Sequence, residues 1–181
     1  GAEAPAATVA ESTDITAEKG KKFIEQLKAI RGFEELDGNK ILANGQNPYL
    51  EDFHNFCRQE PQDLTLKDAT WTGGTLTLKY SDDTEIVLPE EESNRVLKAI
   101  FWPQINTVLD NGFKKQGENF QIADYQKAKN TDEFKKVTDE ILIFIQKNQG
   151  LKSARIDAAS AELEKVSTDL VNDEMKKVWD K

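Results

Sequence analysis

The spacing of apolar positions changes period twice along the chain, and the changes divide it into segments. From Thr16 to Arg31, the residues Phe23, Ile24, Leu27 and Ile30 recur at helical spacing, with Gly32 placed to end the helix. Thr13, Asp14 and Thr16 are its candidate caps. A loop around Gly38, Asn39, Asn44 and Gly45 follows. Asn47-Pro48 then reads as a second helix start, an asparagine cap with proline at the first helical position. Tyr49, Leu50, Phe53, Phe56 and Cys57 form its apolar face, and Pro61 stops it.

There the period falls to two. Leu64 to Trp71, Thr75 to Tyr80 and Thr84 to Leu88 are expected to be three strands of an antiparallel meander, joined by Gly73-Gly74 and Asp82-Asp83. In the middle strand Leu76, Leu78 and Tyr80 alternate with Thr75, Thr77 and Lys79, so one face turns to a core and the other to water. Three strands alone are marginal in water and need a helix against them.

After Pro89 the helical period returns. Val96, Leu97, Ile100 and Phe101 make one stripe, which Ile105, Val108 and Leu109 continue to Asn111-Gly112, with Pro103 expected to kink rather than split it. Ile122 and Tyr125 lead into a helix over Thr131 to Gln149, capped by Asn130 and Glu133 at capping-box spacing and ended by Gly150. Ser153 to Lys181 carries Ile156, Leu163 and Leu170 seven apart, a pattern suited to packing in a bundle. The expected fold is α+β: five to six helices with a three-stranded antiparallel meander inserted after the second. Residues 14–181 form the one domain, and residues 1–13 a disordered tether.

That N-terminal stretch is small, polar and without apolar period, so it has too little to bury to order itself. It has the character of a spacer left by removal of a signal peptide, and it makes the expected location extracytoplasmic: periplasmic, cell-surface or secreted. The single cysteine, Cys57, allows no intrachain disulfide. The densest apolar run, Ile141 to Ile145, is far short of the roughly 20 residues of a membrane span.

Charge narrows the partners. The chain nets −9, and only four of its 24 cations are arginines. Nucleic acid is thereby disfavoured, because phosphate binding needs clustered cations. An acidic surface instead suits a basic protein.

Candidate chemistry is sparse. Glu51, His54, Cys57 and Glu60 stand three apart on the second predicted helix, and Glu-x-x-His is half of a di-iron bundle motif. His54 is the only histidine, so the remaining ligands are missing and no metal is expected. A nucleophile elbow, a P-loop and a dinucleotide fingerprint are all absent from the sequence. Carboxylates such as Asp82-Asp83 and Glu90-Glu91-Glu92 fall in a turn and a helix start, where acids have structural reasons to be. No catalytic or cofactor-binding residue is therefore assigned. Trp71 and Trp102, each beside a backbone irregularity, are the candidate binding surface. The expected function is a non-enzymatic extracytoplasmic binding or interaction protein with a protein or envelope partner. The alternatives are an acidic inhibitor or immunity-type protein that neutralises a basic partner, and a carboxylate-dependent hydrolase.

Overall fold

Helical periodicity in the first segment is realised over residues 17–27, here α1. The computed structural model describes residues 17–43, 46–61, 63–115, 117 and 121–147. The expected tether and the expected helix over Ser153 to Lys181 lie outside the described residues. After α1 come the one-turn α2 (Gly38–Ile41) and α3 (Leu50–Gln59). Strands β1 (Leu66–Thr72), β2 (Thr75–Tyr80) and β3 (Glu85–Val87) follow, and then α4 (Glu90–Ile100), α5 (Trp102–Lys115), α6 (Ile122–Ala128) and α7 (Asp132–Lys147). The architecture is α+β, with the meander placed after α3, the second long helix. The short α2 and α6 are additional to the helices the periodicity marked out.

The strands form one antiparallel sheet in the order β1-β2-β3. Thr72 pairs with Thr75 across the turn at Gly73 and Gly74, both of which hold positive φ, the left-handed region that glycine enters without a Cβ clash. Register follows the alternation: Leu76, Leu78 and Tyr80 are buried, while Thr75, Thr77 and Lys79 are half-buried on the other face.

Helix α4 covers the inner sheet face and is the hub of the fold, packing on β2, α3, α5 and α7. Its Ser93, fully buried, ties helix to sheet: its Oγ accepts from the Leu76 N–H at 2.9 Å and donates to the Leu88 carbonyl at 2.9 Å. Ser93 thus takes up the hydrogen bonding where β3 runs out.

Three local expectations are corrected. Pro103 splits its helix instead of kinking it, because α4 ends at Ile100 and α5 begins at Trp102. Proline has no N–H to return to the carbonyl four residues back, that of Ala99, and Asn47 Nδ2 donates to that oxygen at 2.8 Å in its place. Asn47-Pro48 forms a turn ahead of α3 rather than its first residues, although Asn47 Oδ1 still accepts from the Tyr49 N–H at 3.0 Å. The cap of α7 is Thr131, not Asn130, since Thr131 Oγ1 accepts from the Phe134 N–H at 3.3 Å. The capping box belongs to α6, between Gln121 and Asp124.

Candidate functional site

The four residues spaced three apart on α3 do not converge. A step of three residues rotates about 60° short of a full turn, so side chains in such a series walk around the helix instead of stacking. Glu51 is exposed, His54 half-buried, Cys57 fully buried and Glu60 half-buried at the far end. Burial lowers the His54 pKa, with Arg58 lowering it further and Glu51 opposing, which favours the neutral ring. Burial pushes the Cys57 thiol well up, so the unreactive thiol is the prevailing form. Among the described residues, no group of three or more His, Cys, Asp or Glu side chains is placed to hold a metal ion.

Both tryptophans are interior, at 6% exposure for Trp71 and 2% for Trp102. Trp71 stacks on Phe101 at 5.7 Å between ring centres, and Phe33 stacks on the same ring at 5.9 Å. Trp102 meets Tyr125 edge to face at 5.0 Å, and its Nε1–H donates to the Gln46 carbonyl at 2.8 Å. Both indoles pack on aromatic partners, and Trp71 also lines a cleft of about 250 Å³ together with Ile30, Arg31 and Asp68.

A cleft of about 250 Å³ lies elsewhere, between α1 and the segment leaving α3, lined by Glu18, Lys19, Lys22, Gln26, Glu60, Pro61 and Leu64. Pro61 creates it. The residue before a proline is steered to extended backbone, and Glu60 leaves the helix at φ −67° and ψ 142°. Its carboxylate then accepts from the Tyr80 hydroxyl at 3.0 Å. Burial raises the Glu60 pKa to about 6, against the lowering by the Tyr80 hydrogen bond, Lys19 and Lys22. Gln26 is committed to the sheet, accepting from the Leu66 N–H at 3.0 Å, and Glu18 is exposed at the rim. The cleft can exchange a proton near neutral pH and can contact a small polar molecule.

A second cluster joins helices. Lys98, only 3% exposed, reaches Asp139 at 2.6 Å, and Lys129 reaches Asp52 at 2.7 Å. Both ammonium groups lie over the Tyr49 ring, at 5.9 Å and 5.5 Å from its centre. Sequence reading missed this cluster and the Glu60–Tyr80 pair. Each joins residues far apart in the chain, and a lysine next to an apolar stripe carries no mark of its future partner.

Comparison with protein-family models, with curated proteins and with solved structures returned no match. Among the described residues no helix is long and apolar enough to cross a membrane.

Proposed function

We propose that the protein is a non-enzymatic binding protein that acts outside the cytoplasm on a protein or envelope partner, with its N-terminal segment as the tether. The observation that supports this reading is how the buried ionisable groups are used. Lys98 is engaged by Asp139, Lys129 by Asp52 and Glu60 by Tyr80, so each joins two elements of the fold. A carboxylate hydrolase needs an acid and a second carboxylate facing one substrate position. Here the acid with the raised pKa, Glu60, is bonded to Tyr80 and faces Lys19 and Lys22, while the other carboxylate of its cleft, Glu18, is exposed at the rim.

The test is fractionation of cells producing the full chain, followed by cross-linking. Recovery in the envelope or external fraction, cross-linked to a defined partner, is the expected result. Recovery in the cytosol, or hydrolytic activity abolished by Glu60→Gln, overturns the reading.

The second reading, neutralisation of a basic partner, is favoured by one segment. Residues 82–92 hold six acids, Asp82, Asp83, Glu85, Glu90, Glu91 and Glu92, and no lysine or arginine.

A further inference from the structure

Strand β3 is an edge, and among the described residues no strand pairs with its outer side. In an antiparallel ladder, alternate residues bond to the neighbouring strand and the residues between them point their N–H and C=O the other way. The inward set is fixed by two bonds, Tyr80 N–H to the Thr84 carbonyl at 3.0 Å and Leu88 N–H to the Leu76 carbonyl at 2.9 Å. Ile86, opposite Leu78, belongs to the same set. Glu85 and Val87 therefore direct two donors and two acceptors away from the sheet.

The opposite edge is treated differently. On β1 the Leu66 N–H is taken by Gln26 Oε1 at 3.0 Å, and the Trp71 carbonyl accepts from Gln146 Nε2 at 3.2 Å. Side chains from two helical segments thus cap two groups of that edge, and among the described residues none does so at Glu85 or Val87. Val87 is also 60% exposed, more than any other large hydrophobic side chain among the described residues. An open edge with an exposed apolar side chain is the arrangement that accepts an added strand.

Charge decides what kind of strand. Asp83 is paired with Lys67 at 3.1 Å, and Glu91 with Lys135 at 3.7 Å. Asp82, Glu85, Glu90 and Glu92 have no cation within 4.0 Å among the described residues. A second copy of this chain would bring the same acids, and the same net charge of −9, to the joint. Like charges directly opposite one another are unfavourable across a strand pair. We propose that the outer edge of β3 receives an extended, basic strand of a partner protein, its backbone pairing with Glu85 and Val87 and its cations lying among the acids of residues 82–92.

This inference rests on the binding reading and names the class of partner. Its test titrates the full chain with a peptide of alternating lysine and valine, following backbone amide shifts by NMR and affinity by calorimetry. Shifts centred on Glu85 and Val87 are expected. Val87→Pro removes an outward N–H but none of the inward bonds, and is expected to weaken binding about tenfold, the worth of one such hydrogen bond. Should that variant lose its fold, the same peptide N-methylated at the alternate residues that face β3 makes the test from the other side, with an expected loss of about a hundredfold, for two such bonds. Equal affinity for the methylated peptide, shifts centred elsewhere, or no binding at millimolar peptide overturns the proposal. A partner cross-linked to the envelope fraction alongside any of those results overturns the edge while leaving the binding reading standing.

Discussion

Asn47 Nδ2 donates to the Ala99 carbonyl across 52 positions of sequence, at the carbonyl to which Pro103 has no N–H to return. The same nitrogen donates to the Ile41 carbonyl at 3.2 Å, while Oδ1 accepts from the Tyr49 N–H. One side chain, 2% exposed, thus satisfies backbone groups from three segments. Asn47→Ala removes all three of these bonds in the interior, leaving the Ala99 carbonyl only the Phe101 N–H, and is expected to cost on the order of 3 kcal/mol. Asn47→Asp keeps the acceptor for Tyr49 but loses both donations, so it should cost at least as much. Urea midpoints with unchanged slopes are the measurement, and a near-neutral Asn47→Asp would show that the two carbonyls find other donors.

The Lys98–Asp139 pair makes an asymmetric prediction. Lys98 is enclosed, whereas the Asp139 side chain is 36% exposed. Burial lowers the Lys98 pKa, and Asp139 supplies the opposing attraction. Asp139→Asn leaves an ammonium buried beside a neutral amide and is expected to cost about 3 kcal/mol. Lys98→Met leaves a carboxylate that can turn to water and should cost about 1 kcal/mol. Denaturant unfolding of both single variants checks the order, and equal losses would mean that Asp139 is as poorly solvated as its partner.

What was legible in the sequence was what apolar period and turn chemistry encode. The β2 strand is found with its expected bounds, because Thr75 to Tyr80 alternates without interruption between a Gly-Gly turn and an acidic one. Phe23, Ile24 and Leu27 are buried where the helical stripe put them. The split at Pro103 was not legible, because one stripe runs straight through it. What favours the split is the hydrogen-bonding supply from Asn47, which local pattern does not reveal. The same limit concealed the site. Glu60 and Tyr80 are 20 positions apart and meet only because Pro61 turns the chain.

Register in the meander is tested by two neighbours. Leu78 is fully buried against the helices, and Thr77 is half-buried on the opposite face, across from Thr70 and Val87. Leu78→Ala should cost about 2–5 kcal/mol through lost burial and a residual cavity. Thr77→Ala should cost about 0.5 kcal/mol, since it removes no core packing. Thermal or chemical unfolding of the two variants gives the comparison. Equal costs would place a covering element over the outer face of the sheet.

Glu60 gives the chain a pH dependence of definite sign. Its carboxyl sits at about 6 when folded, above the ordinary 4.5. Between those values the native chain binds more protons than the unfolded chain, so stability falls as pH rises. The contribution is complete below about 4.5, where both states are protonated, and gone above about 6, where the buried charge must be carried. Partial exposure of the cleft limits the loss to about 1 kcal/mol. Glu60→Gln retains an oxygen for the Tyr80 hydroxyl and removes the charge, so the variant should match the native chain near pH 4 and exceed its stability near pH 8. Unfolding free energies measured across that range decide it. A native curve rising between pH 5 and 7 and unchanged by the substitution would assign the titration to other carboxyls, and would leave Glu60 ionised beside Lys19 and Lys22.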